Sequence, residues 1–155
     1  MLNAYLDAYR GLPASVWKIS IVLLINRSGT MVLPFWALYC TSERDLSIGQ
    51  AGGLLAVHGI GGIFGSMLGG WLASTVGPVR VMIGSLAFSC IGFLVLMWPT
   101  TLVGMAAAMF ALSLATESMR PAAATATADC CDPALHPRAM GLNRLAINLG
   151  MALGA

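Results

Sequence analysis

Four apolar runs, at 16–40, 48–73, 79–98 and 102–128, leave this chain few folds to adopt. A helix rising 1.5 Å per residue needs about 20 apolar residues to cross a hydrocarbon core of ~30 Å. Each run meets that length. Their connections are short and polar: TSERDLS, STVGP, PTT and DCCDPALHPR. A fifth run opens near Met140 and reaches Ala155. In hydrocarbon every backbone N–H and C=O must be satisfied within the chain, so the runs are expected to be helices, and the loops leave no room for a soluble domain. The expected fold is therefore all-α, a polytopic helical membrane protein with four spans and the start of a fifth. Residues 1–15 form a cytoplasmic or interfacial segment, and 16–155 a helical bundle with an incomplete last span at 140–155. In the first segment Leu2, Tyr5, Leu6 and Tyr9 share one face, which suits an interfacial helix ending at residues 11–13. Asp7, Arg10 and Lys18, with no apolar core before Trp17, exclude a cleaved signal peptide.

Composition supports the same class. Of the 155 residues 58% are hydrophobic and 9% charged, where soluble domains carry roughly a quarter charged residues. A net charge of +2 without a basic run offers nothing to nucleic acid. Cys40, Cys90, Cys130 and Cys131 have neither disulfide-framework nor zinc-site spacing; Cys130, Cys131, Asp132 and His136 could at most be imagined as a metal cluster. No nucleophile elbow, paired carboxylates or cofactor motif appears, so neither an enzyme nor a cofactor is expected. With the amino terminus inside, Arg10, Lys18, Arg80 and Arg138 all fall on the cytoplasmic side, and the far side holds Arg44 between Glu43 and Asp45. That is the positive-inside pattern of an inner-membrane protein. Trp17, Trp36, Trp71 and Trp98 sit at or near span ends, where indoles favour the interface.

The few charges within the spans are expensive and need a reason. Counted from Trp17, Arg27 lies about 15 Å above the cytoplasmic face; counted back from Asp129, Glu117 lies about 18 Å and Arg120 about 13–14 Å above it. All three are near the midplane. The matched depths make Arg27 and Glu117 a natural pair, with Arg120 on the same helix face as Glu117. Pro34 and Pro121 lie close by, and a broken or kinked helix at corresponding positions of spans one and four suits a midplane binding site. A substrate or ion pathway is expected to use Arg27, Glu117 and Arg120, with Asn26 and His58 second; the alternative is a structural clamp. Gln50 and Asn148 are minor candidates. In the second span Gly49, Gly53, Gly61, Gly65 and Gly69 form a four-residue ladder interrupted by Val57, beside a second ladder of Gly62, Ser66 and Gly70. Gly53, Gly61, Gly65 and Gly69 are expected to pack closely against a neighbouring helix.

GGWLASTVGPVRVM, between spans two and three, resembles the cytoplasmic loop signature of the major facilitator superfamily. Gly70, Leu72, Ala73, Gly77 and Arg80 match it, while Ser74 stands where the signature has an acid, and Thr75 and Val79 where it has bases. The segment ESMRPAAATATADCCDPALHPRAMGLNRLAINLG resembles bacterial drug or sugar efflux members through Glu117, Arg120, Pro121, Asp129, Pro133, Arg138, Asn148 and Gly150; NRSGTMVLPF of the first span resembles them too. The family's usual fourth-helix arginine is replaced by Met109 and Phe110. The resemblance implies a secondary transporter working by alternating access on small molecules, with proton-coupled efflux the nearest activity. Gly70, Ser74, Gly77 and Arg80 would form the cytoplasmic loop motif. Twelve spans need roughly 350–400 residues, so the chain is expected to be an amino-terminal portion whose partners are the bilayer, a small-molecule substrate, protons and the remaining transporter helices in the same or another chain. The rival expectations are a truncated, transport-inactive protein and a small helical assembly or regulatory subunit.

Overall fold

The computed structural model describes Tyr9 and residues 11–154. The interfacial helix expected from Leu2, Tyr5 and Leu6 lies outside them. Among the described residues six α-helices follow one another: α1 (Ala14–Thr30), α2 (Val32–Ser42), α3 (Ile48–Thr75), α4 (Pro78–Val95), α5 (Leu102–Asp129) and, after a 3-10 turn at Pro133–Leu135, α6 (His136–Gly154). Among the described residues there is no strand. Four segments of the described residues are long and apolar enough to cross a membrane: α1 with α2 as Ala14–Ser42, then α3, α4 and α5. In the first three of these only 22% of the apolar window is buried within the protein. Ile25, Ile63, Phe88 and Met97 are among the large side chains left outside. Such a surface is stable when hydrocarbon surrounds it.

The first span is broken. Thr30 closes α1, Met31 stands between the helices, and α2 starts at Val32. Pro34 explains the position: it has no N–H for the carbonyl four residues back, which is that of Thr30, and its ring crowds the same carbonyl. Pro121 behaves differently. It lies inside α5, which runs unbroken to Asp129. Of the broken or kinked helix expected there, the break is absent: α5 is held on both sides of the proline. Gly65 and Gly69 abut the backbones of Leu114 and Ser118 before it, and Ala122, Ala123 and Ala126 are buried after it.

The chain forms two compact units, one of residues up to Met31 and from Ala123 onward, the other Val32–Ala122. In the first, α6 packs along α1. Leu12, Val16, Ala139 and Leu142 make its apolar core, edged by Tyr9, Cys130, Cys131 and Leu135. Further along, a Cβ on Gly150 would lie 2.5 Å from the Leu24 carbonyl oxygen, and one on Gly154 2.5 Å from that of Ser28. The glycines thus let the two backbones touch. A buried polar chain adds specificity. Asn143 Nδ2 donates to Thr127 Oγ1 at 2.8 Å, Thr127 donates on to the Ala123 carbonyl at 2.7 Å, and Ser20 Oγ shares its proton between Asn143 Oδ1 at 2.8 Å and the Val16 carbonyl at 3.0 Å. Every member has a partner, as buried polar groups require.

In the second unit Leu96, Met109 and Leu112 form a core joined by Leu33, Trp36, Phe93 and Ala108. Helices α3 and α5 meet along the glycine ladder. A Cβ would lie 2.9 Å from the Phe110 carbonyl oxygen at Gly61, 2.7 Å from that of Leu114 at Gly65, and 2.5 Å from that of Ser118 at Gly69. Gly53 does not take part: it is exposed, and a Cβ there would meet nothing within 4 Å. The ladder's period continues past the contact, but the neighbouring backbone does not. Helix α4 attaches to α5 through the Ser85 hydroxyl, which donates to the Ala115 carbonyl, and through Gly92 beside Leu112.

Candidate functional site

Beside the ladder, α3 and α5 line an open cavity of about 420 Å³. His58, Gly59, Gly62, Ile63 and Ser66 line it from α3, and Ser113, Glu117 and Arg120 from α5. The spacings place each set on one helical face. Small residues make the space: close packing at Gly61, Gly65 and Gly69 holds the backbones together, and the adjacent stripe of Gly59, Gly62 and Ser66 leaves room for longer side chains from α5. At Gly62 a Cβ would lie 3.3 Å from Glu117 Cγ, so the absent side chain lets Glu117 rest over α3.

Within the cavity Arg120 Nη1 lies 3.5 Å from Glu117 Oε2, an i,i+3 pair on one face of α5. The pair is uneven: the Arg120 side chain is 61% exposed and that of Glu117 18%. Ser113 Oγ donates to the His58 carbonyl at 2.5 Å and ties the two helices at the cavity wall. Ser66 Oγ turns back to the Ile63 carbonyl at 2.8 Å.

Three of the five pathway residues expected from the sequence, His58, Glu117 and Arg120, are thus brought to one cavity. Asn26 and Arg27 belong to the other unit. Asn26 is buried on α1, and its Oδ1 has no hydrogen-bond partner among the described residues. Arg27 is half-buried, with its Cβ beside Gly150. Gln50 serves its own helix, closing a capping box with Ser47. Asn148 is exposed, whereas Asn143 carries the buried contacts. Sequence reasoning passed over Ser113 and Asn143. Ser113 could have been found one turn before Glu117 on the same face, and Asn143 as a polar residue one turn into the last apolar run.

The loop motif is tighter than expected. Gly70 and Ser74 are helical, because α3 continues to Thr75. The hydroxyls of Ser74 and Thr75 donate back to the Trp71 carbonyl at 2.8 and 3.0 Å and stay within the helix. Gly77 then turns the chain with φ 103° and ψ 140°, and Pro78 opens α4. Arg80 Nη1 reaches the Val76 carbonyl at 3.5 Å, placing a cation at the carboxyl end of α3, where the helix dipole favours it.

A second cavity, of about 370 Å³, is lined mainly by apolar residues, including Val81, Phe88, Leu112 and Leu114. Its two serines are committed elsewhere, Ser85 to the Ala115 carbonyl and Ser118 to those of Gly65 and Leu114. After α5, Cys130 and Cys131 both direct their thiols at the Thr127 carbonyl, at 3.5 and 3.2 Å, and His136 Nε2 lies 3.2 Å from the Ala128 carbonyl and 3.1 Å from that of Cys131. These side chains close a helix end. Burial pushes the Cys130 thiol above its usual range, and neighbouring Cys131 and Asp129 push the same way.

No curated protein and no solved structure matches the chain. The Major Facilitator Superfamily profile matches residues 19–155, from α1 to the last helix and across every residue of the cavity. On that match, and with four helices of bilayer length, the chain belongs to the Major Facilitator Superfamily, a family of membrane transporters.

Proposed function

We propose that the chain supplies a translocation pathway for small molecules in a secondary active transporter of the efflux type, coupled to protons and working by alternating access. The observation that carries this reading is the cavity itself. A space of about 420 Å³ lies between two bilayer-length helices and gathers His58, Glu117 and Arg120 on its walls. Ionisable groups at membrane depth mark substrate and ion paths when they face a cavity, and here they do. Glu117 is the candidate proton carrier, since a carboxyl beside a guanidinium changes partner when it is protonated. The charge pattern of the loops supports an inner-membrane orientation with the amino terminus in the cytoplasm.

The test needs no knowledge of the substrate. Ser66→Cys places a thiol on the cavity wall, and a membrane-impermeant maleimide is applied to right-side-out and inverted vesicles, with modification read on the peptide that contains residue 66. Alternating access predicts labelling from both faces, with the ratio moved by an imposed pH gradient. Glu117→Gln should remove the pH response and leave labelling from both faces. Failure of the thiol to react from either face would overturn the pathway.

A further inference from the structure

We infer that this cavity selects solutes bearing an anionic head on a compact apolar body, such as an organic carboxylate, sulfonate or phosphate, and that the Arg120 guanidinium receives the head; the inference rests on the pathway reading above. Arginine keeps its charge at every accessible pH and presents five N–H donors in a planar fork. Arg120 Nη1 lies 3.5 Å from Glu117 Oε2, a contact through one corner of the fork. Its side chain is 61% exposed, whereas the Glu117 carboxylate is 18% exposed and drawn back over Gly62. The group offered to an arriving solute is therefore the cation.

The rest of the wall fits that division. The Ser66 and Ser113 protons are already donated to the carbonyls of Ile63 and His58, so these hydroxyls do not compete as donors for the head. Gly59, Gly62 and Ile63 supply an apolar floor without bulk. Because Glu117 balances Arg120, long-range attraction is small. Discrimination comes at contact, where a bidentate, charge-assisted pair with a planar or tetrahedral oxyanion is strong and a neutral or cationic head finds no equivalent. A cationic solute would have to displace Arg120 from Glu117 and leave the guanidinium without an anion near the midplane.

Three probes of one size separate the possibilities: benzenesulfonate, benzenesulfonamide and phenyltrimethylammonium. Each is tested for protection of Ser66→Cys against maleimide in the vesicles described above. Benzenesulfonate should protect at concentrations about tenfold or more below the other two, the discrimination expected of a charge-assisted hydrogen-bonded pair. Arg120→Gln should abolish that preference. Arg120→Lys keeps the charge and loses the fork, and should need about tenfold more benzenesulfonate for equal protection. Equal or better protection by the amide or the ammonium, no protection by the sulfonate, or a sulfonate preference that survives Arg120→Gln would each overturn the anion assignment. A thiol at 66 that reacts normally but shows no sulfonate protection removes this inference and leaves the pathway standing. A thiol that reacts from neither face removes both.

Discussion

Gly53 and Gly65 lie on the same ladder of α3 and have opposite surroundings. A Cβ on Gly65 would lie 2.7 Å from the Leu114 carbonyl oxygen and 2.9 Å from its Cα, and a backbone atom cannot step aside as a side-chain tip can. Gly65→Ala should therefore cost roughly 1–3 kcal/mol as α3 and α5 are forced apart. Gly53→Ala meets open space and should gain up to about 1 kcal/mol from helix propensity. Unfolding of the two variants in detergent checks both signs, and equal effects would mean that the ladder contact has no energetic weight. The comparison also shows what was legible at this scale. The four-residue period is written in the sequence, but which rungs carry a contact depends on where α5 passes, and that is set by residues some fifty positions away. The same holds for the asparagines. Asn148 and Asn143 look alike in the last apolar run, and the side of α6 that faces α1 decides that Asn143 is buried.

Elements were more legible than residues, and their ends less so. Run length and hydropathy locate the helices, because hydrocarbon leaves the backbone no alternative. Proline is harder, since its effect depends on what holds the helix around it. Pro34 opens a gap before α2, where Cys40 is the buried residue; Pro121 leaves α5 whole because both flanks are packed. The α3–α4 corner was read as a loop from its Ser, Thr, Gly and Pro. Two hydroxyls bonded back to Trp71 keep Ser74 and Thr75 helical and concentrate the turn at Gly77. That turn yields a clean test. Gly77 and Gly84 would both place a Cβ in open space, but Gly77 has φ +103° and Gly84 is helical. Alanine at 77 should destabilise by about 1–3 kcal/mol through backbone strain alone, whereas alanine at 84 should be neutral or stabilising. Denaturation midpoints of the two variants give the difference, and a neutral Gly77→Ala would show that the corner relaxes without cost.

Across the whole molecule, the count of spans and the placement of basic residues predict the side of the membrane each connection occupies. An amino terminus in the cytoplasm puts Ser42, at the end of α2, outside; Val76, between α3 and α4, returns to the cytoplasm, as do Cys130 and Cys131 after α5. The basic residues Lys18, Arg80 and Arg138 then share the cytoplasmic side, and inversion would send all three outward against the positive-inside bias. Ser42 and Val76 are exposed, so cysteines there can report. In intact cells an impermeant maleimide should modify Ser42→Cys and spare Val76→Cys, with the reverse pattern in inverted vesicles. Native Cys130 supplies an internal control of a different kind. Because burial raises its pKa, the thiolate is scarce near neutral pH, and its labelling in inverted vesicles should be slow. The rate should climb about tenfold per pH unit while the pH stays below the raised pKa, because the thiolate is the nucleophile. Modification of Val76→Cys in intact cells would reverse the orientation.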